Sequence, residues 1–302
     1  MFGTLLGPLP RPPLPHDAAP EAILDAVLAL QAEHGLEPLT EGGWSLAPDD
    51  PVAAWRATAQ RTDRLVKAVV PGPLTSGRPA GELRETLVAL AEAGCVLIEV
   101  AEPTAATLDP DDRAALATFA ETHAALTDGL AGVHLSLAIT GGSVPRAANP
   151  AVLTGAYASL AVDLIDGPDN WYLVAAAPQE RGIVTGALSA RDGSDDRVEV
   201  LLWAAAYAAS TAGRGADRVG LATAGSLAAL SWQAAERKVR LLGEAVRLAA
   251  LPPEELKRRI DPRAVDIRSA GLGRYDPPAR PEPGTAPRRV SAKSRKSSSP
   301  GD

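Results

Sequence analysis

The chain has 302 residues, a net charge of −7, 46% hydrophobic residues but only 4% aromatic ones, and a single cysteine, Cys95. Binding of nucleic acid or an anionic membrane through the body of the chain is excluded by that charge, since both need clustered positive charge. One cysteine excludes an intrachain disulfide and a multi-cysteine metal site, and agrees with a reducing, cytoplasmic setting. The first fifteen residues lack a basic start and are broken by prolines, so they read as neither a signal peptide nor a membrane span.

In chain order, residues 2–6 predict a short strand that ends at Gly7 and Pro8, because proline cannot extend a ladder. Ile23, Leu24, Val27, Leu28 and Leu30 share one helical face over residues 20–34, and Gly35 supplies a stop. A second short strand is expected at 36–40, followed by the loop Glu41, Gly42, Gly43 and Trp44. A helix over 51–59 precedes a β-branched strand at 64–70, which runs into Pro71, Gly72 and Pro73. Another helix is expected over 81–93.

The central stretch is 96–103, VLIEVAEP. A run this apolar reads as a strand buried on both faces, as in a parallel sheet covered by helices. Carboxylates there require a partner or a purpose. Glu99 is expected to pair with Lys67 on the neighbouring strand, and Glu102, last before Pro103, to sit at the strand end facing a cleft. A helix (110–127), a strand (133–139) closed by Thr140, Gly141 and Gly142, a helix (149–159) and a strand (161–165) follow. Residues 171–177 carry no usable period. A strand (183–188), a helix (198–212), a strand (219–223) and a helix (232–248) complete the series.

Eight strands alternating with eight helical stretches predict an α/β fold, a (β/α)8 TIM barrel over residues 1–250, with its site at the carboxyl ends of the strands. Residues 251–275 read as a peripheral helical extension. Residues 276–302, rich in Pro, Ser, Arg and Lys, read as a disordered basic tail.

Seven stretches resemble, in order, the catalytic barrel of cobalamin-independent methionine synthase, within the group that includes uroporphyrinogen decarboxylase. They are LLGPLPRPP (5–13), LQAEHGLEPLTEGGW (30–44), VKAVVPGPLT (66–75), VLIEVAEP (96–103), VHLSLAITGG (133–142), GIVTGALSARDGSDDRVE (182–199) and ATAGSLAALSWQAAERKVRLL (222–242). The resemblance implies a one-carbon methyl transfer to a thiol held on zinc, with a folate or an amino-acid thiol as the small molecule in the barrel mouth. Metal coordination would there make a thiolate at neutral pH.

Carried over by that resemblance, His134 matches the family's histidine ligand and Asp166 its carboxylate, whereas Ser136 and Ala224 stand where its cysteines are expected. Glu102 and His134 are the expected catalytic residues, His134 and Asp166 the expected metal ligands. Gly7, Glu41, Trp44, Gly72, Glu102 and Gly141 are the expected substrate-binding residues. Two classes follow: a methyltransferase-like enzyme with an altered zinc set, or a non-catalytic barrel kept as a ligand-binding or partner subunit. Retention of His134 and Glu102 favours the first, and loss of the cysteine ligands the second.

Overall fold

Short β-branched runs separated by capped helices organise the chain, and the computed structural model describes residues 1–130 and 132–259. Among the described residues, seven parallel strands form one curled sheet in the order β1-β7-β6-β5-β4-β3-β2. They are β1 (Phe2–Thr4), β2 (Ala68–Pro71), β3 (Leu97–Ala101), β4 (His134–Ile139), β5 (Ser159–Asp163), β6 (Gly182–Leu188) and β7 (Val219–Thr223). The helices are α1 (Pro20–Glu33), α2 (Pro51–Ala59), α3 (Pro73–Ser76), α4 (Ala80–Glu92), α5 (Arg113–Thr127), α6 (Asn149–Val152), α7 (Asn170–Ala176), α8 (Val198–Ser210), α9 (Trp232–Ala249) and α10 (Pro253–Arg259).

Local chemistry sets several helix starts. Pro51 opens α2 behind Asp50, whose carboxylate accepts from the amides of Val52 and Ala53. Asp112 and Ser231 cap α5 and α9 through the amides of Ala115 and Ala234. Helix α4 shows the packing logic: Leu83, Leu87 and Leu90 recur at helical spacing and are all fully buried. Each contributes roughly 1.5–3 kcal/mol on leaving water.

Strand alternation divides the core in two. Leu135, Leu137 and Ile139 of β4 face the helices, while Ala138 joins Leu6, Ala161, Val184 and Ala222 inside the curl of the sheet. Three alanines make up much of that interior, with Phe2 packed against it.

The expected eighth strand at 36–40 is corrected. This segment forms isolated bridges, antiparallel from Glu37 to Gly3 and parallel from Leu39 to Val66, in place of a ladder. Pro38 has no N–H to give, so regular pairing is interrupted there. The segment still spans the two sheet edges: Glu37 N donates to Gly3 O (2.8 Å), Leu39 N to Leu65 O (2.8 Å), and Lys67 N to Leu39 O (3.0 Å). Gln31 substitutes for a neighbouring strand, since its amide donates to Thr40 O (2.8 Å) and accepts from Thr40 N (3.0 Å).

The ambiguous stretch at 171–177 is helical, as α7. The expected helix at 149–159 stops at Val152, and β5 begins at Ser159, ahead of the expected 161. Of the extension at 251–275, α10 is described, and the remainder, with the basic tail at 276–302, lies outside the described residues.

Candidate functional site

The carboxyl ends of the strands carry most of the expected site residues, but they form three separate constructions. The first is a cleft of about 360 Å3 between the end of β1, the 40–45 loop, α2 and β2. Gly7, whose φ of +85° favours glycine, and Glu41 line it. Burial pushes the Glu41 carboxyl above its usual range, opposed by a hydrogen bond from Ser45. Among the described residues, no lysine or arginine forms an ion pair with Glu41. Lys67 also lines this cleft, but its ammonium group is committed to Glu99 Oε2 (2.6 Å) and Leu5 O (2.7 Å). This ion pair matches the sequence expectation. Trp44 is adjacent without lining the cleft; its indole N–H donates to Leu9 O (3.1 Å), and the Arg11 guanidinium lies over its ring.

The second construction surrounds Glu102, which is 0% exposed and lies outside the cleft lining. Oε2 accepts from Leu74 N (3.0 Å) at the start of α3, while Oε1 accepts from the hydroxyls of Thr75 and Thr104. His123 Nε2 of α5 stands 3.6 Å from Oε2, an electrostatic contact longer than an ordinary hydrogen bond. The other His123 nitrogen, Nδ1, is 2.6 Å from Tyr157 Oη, and Phe119 stacks on the imidazole at 4.1 Å.

Burial and the nearby Glu102 charge hold the Tyr157 phenol far above its ordinary pKa, so it stays protonated beside His123 Nδ1. Burial pushes the Glu102 carboxyl up, but His123, Thr104, Thr75 and the Leu74 amide more than reverse this, leaving it below its ordinary value. Gly72 is part of the same arrangement. A Cβ there would stand 2.3 Å from Glu102 Oε2, so only glycine admits the carboxylate. The structure thus encloses Glu102 rather than facing it to the cleft.

The third construction joins the loops after β4 and β5. Asp163 accepts from Gly141 N (3.0 Å), Ile165 N (2.8 Å) and Asp166 N (2.9 Å). Burial, and the nearby Asp166 charge, raise its carboxyl, while those amides oppose the rise. Asn170 bonds to Gly142 O, Asp163 O and Val144 N, which fixes the glycine turn. Gly141 has a φ of +81°, so its expected place in a ligand surface is also a backbone requirement. Asp166 pairs with the exposed Arg191.

His134 is placed differently. It opens β4 at the amino end of the sheet, where Nε2 is 2.8 Å from Ser159 Oγ. Partial desolvation by the neighbouring chain holds its pKa down, although the residue remains exposed. Glu102 and Asp166 follow the carboxyl ends of β3 and β5, so the parallel strands separate His134 from both of them. Among the described residues, no three His, Cys, Asp or Glu side chains gather as a metal site. The zinc implied by the resemblance does not fit this donor set: Ser136 Oγ is buried without a partner, Ala224 has no donor, and Asp166 is paired with Arg191. The residues that sequence reasoning missed are His123, Tyr157 and Asp163. Of these, Asp163 alone carried a readable signal, as a carboxylate closing an apolar strand.

Parallel strands in a curled sheet, with helices outside and the loop-built cleft at the carboxyl ends, define a TIM-like α/β barrel fold. Its solved relatives are more particular. The chain is similar in structure to a B12-independent methionine synthase from Shewanella sp. W3-18-1, solved in complex with selenomethionine, with a TM-score of 0.64 and 14% identity over 85% of this chain and 98% of that one. It is also similar to a putative vitamin-B12-independent methionine synthase from Listeria monocytogenes, with a TM-score of 0.61 and 13% identity over 81% of this chain and 95% of that one. At these identities the shared property is the fold. No family model and no curated protein matches the chain.

Proposed function

We propose that this chain is a methionine-synthase-like barrel that binds a small, amino-bearing molecule in the cleft beside Glu41. The observation that carries this reading is the Glu41 carboxylate itself, partly desolvated, lining the cleft and, among the described residues, without an ion-pair partner. A ligand ammonium would supply the missing charge-assisted hydrogen bond and reverse the upward shift of the carboxyl. Gly7 and Gly43 contribute backbone to the cleft wall, and Trp55 and Val66 offer apolar contact. An amino-acid thiol or thioether meets these requirements. The single free cysteine agrees with a cytoplasmic protein, and no helix among the described residues is long and apolar enough to cross a membrane.

A second reading, methyl transfer to a small thiol, is favoured by the likeness to methionine synthases. Because the zinc ligands do not fit, it would not run through a metal-held thiolate. The test is calorimetric titration with methionine, homocysteine and their deaminated analogues, repeated with Glu41→Gln. Binding that needs the amino group and weakens at least about tenfold in the variant, a change of about 1.4 kcal/mol, supports the assignment. Equal affinity for deaminated analogues, or an unaffected variant, refutes it. Mass-spectrometric search for a thioether product, with a methyl folate and homocysteine supplied, separates enzyme from binding barrel.

A further inference from the structure

The amino end of the sheet carries a second cleft of about 290 Å3 that the reading above does not use. Two glycines of neighbouring strands shape it. Gly220 of β7 is covered by the Phe2 ring, which a Cβ there would meet at 2.5 Å. Gly182 of β6 lines the cleft and stands level with Ser159 in the ladder; a Cβ there would meet Ser159 Cβ at 3.1 Å and the Arg218 carbonyl oxygen at 3.3 Å. The absent side chain at 182 thus leaves cleft space beside Ser159, walled by Phe2, Ile183 and Val184. Glu180 and Asp217, both exposed, outnumber Arg218 at the edge and give the mouth a net negative charge.

His134 and Ser159 both line this cleft, as the first residues of the adjacent strands β4 and β5. His134 Nε2 stands 2.8 Å from Ser159 Oγ, within reach for proton transfer. Among the described residues that hydroxyl has no other hydrogen-bond partner. Partial desolvation keeps the imidazole below its ordinary pKa and so largely uncharged at neutral pH. In the tautomer protonated at Nδ1, Nε2 is the atom that takes the hydroxyl proton. A serine hydroxyl paired with an uncharged imidazole, in a cleft with apolar walls, is the arrangement that nucleophilic catalysis uses.

We propose that Ser159, with His134 as its base, is a nucleophile that accepts the acyl group of a small neutral or cationic ester, an activity separate from the Glu41 cleft. Ser159 Oγ bonds to the ester carbonyl carbon as its proton passes to His134 Nε2; the bond to the leaving oxygen breaks, and that oxygen takes the proton. Water, deprotonated by His134, then releases the carboxylic acid and restores the hydroxyl, so ester and water become acid and alcohol without a redox partner. The full chain is treated with diethyl p-nitrophenyl phosphate, whose serine adduct resists hydrolysis, and the diethylphosphoryl group is located by peptide mass spectrometry. It is expected on Ser159. Labelling there should fall by about a hundredfold or more both in His134→Gln, which keeps a hydrogen-bonding side chain, and in His134→Gly. Free imidazole should restore labelling in His134→Gly, since position 134 is exposed. With p-nitrophenyl butyrate as the ester, nitrophenolate release should fall at least about tenfold in Ser159→Ala. Label absent from Ser159, a smaller fall in His134→Gln or in Ser159→Ala, or no rescue of a His134→Gly variant whose circular dichroism matches the parent overturns the proposal.

Discussion

Replacing Gly72 by alanine tests whether the enclosure of Glu102 holds the loops after β2 and β3 together. The backbone there, φ −68° and ψ 169°, suits any residue, so the effect must come from the added methyl group. That methyl would meet Glu102 Oε2 at 2.3 Å and Cδ at 2.8 Å. Overpacking costs about 1–3 kcal/mol. Displacing the carboxylate also weakens hydrogen bonds worth roughly 1.5–3 kcal/mol each. A loss of about 3 kcal/mol is therefore expected, which for a barrel of this size lowers Tm by roughly 6–12 °C. Thermal unfolding followed by circular dichroism measures it. In a Glu102→Ala background the carboxylate is gone and a 3.2 Å contact to Cβ remains, so the same Gly72 change should cost less than about 1 kcal/mol. Equal costs in both backgrounds would refute the reasoning.

Lys67→Met leaves Glu99 buried without its cation and should destabilise by about 3–5 kcal/mol in urea denaturation, whereas adding Glu99→Leu should recover most of the loss. Asp163→Ala removes three amide acceptor contacts and should speed hydrogen exchange across residues 140–144 and 164–167 while leaving β2 and β3 unchanged. The depressed Glu102 carboxyl stabilises the fold above its ordinary value of 4.5, and that stability is lost as pH falls from there through the lower folded value. Stability measured from pH 6 to pH 3 should therefore fall less steeply in Glu102→Gln than in the parent.

The strands were legible because outward positions such as Leu135, Leu137 and Ile139 are aliphatic, and the βα alternation is regular. The segment at 36–40 has the same apolar character, and its difference arises from one proline and from Gln31, a helix residue that takes a strand's role. The pairing of Lys67 with Glu99 was readable because Glu99 lies in β3 and Lys67 directly precedes β2, its neighbour by the alternation. Glu102 was readable as a carboxylate with a special environment, but its partners were not. His123 lies in the middle of α5 and Tyr157 in a loop, positions whose convergence depends on how helix and sheet pack. His134 shows the reverse limit: a motif match places a residue on a strand, but strand polarity decides which end of the barrel it serves.

The bridging segment at 36–40 gives the sheet the mechanics of a hoop closed by a clasp. Six laddered joints run from β1 round to β2, while the remaining gap is spanned by a few bonds through Glu37, Leu39, Thr4 and Gln31. Any outward breathing of the hoop concentrates there. The cleft beside Glu41 lies against that clasp, with Thr40, Val66 and Lys67 in its wall. A molecule seated in it would rivet the two edges, coupling occupancy to the integrity of the whole ring and making thermal stabilisation a direct report of what binds.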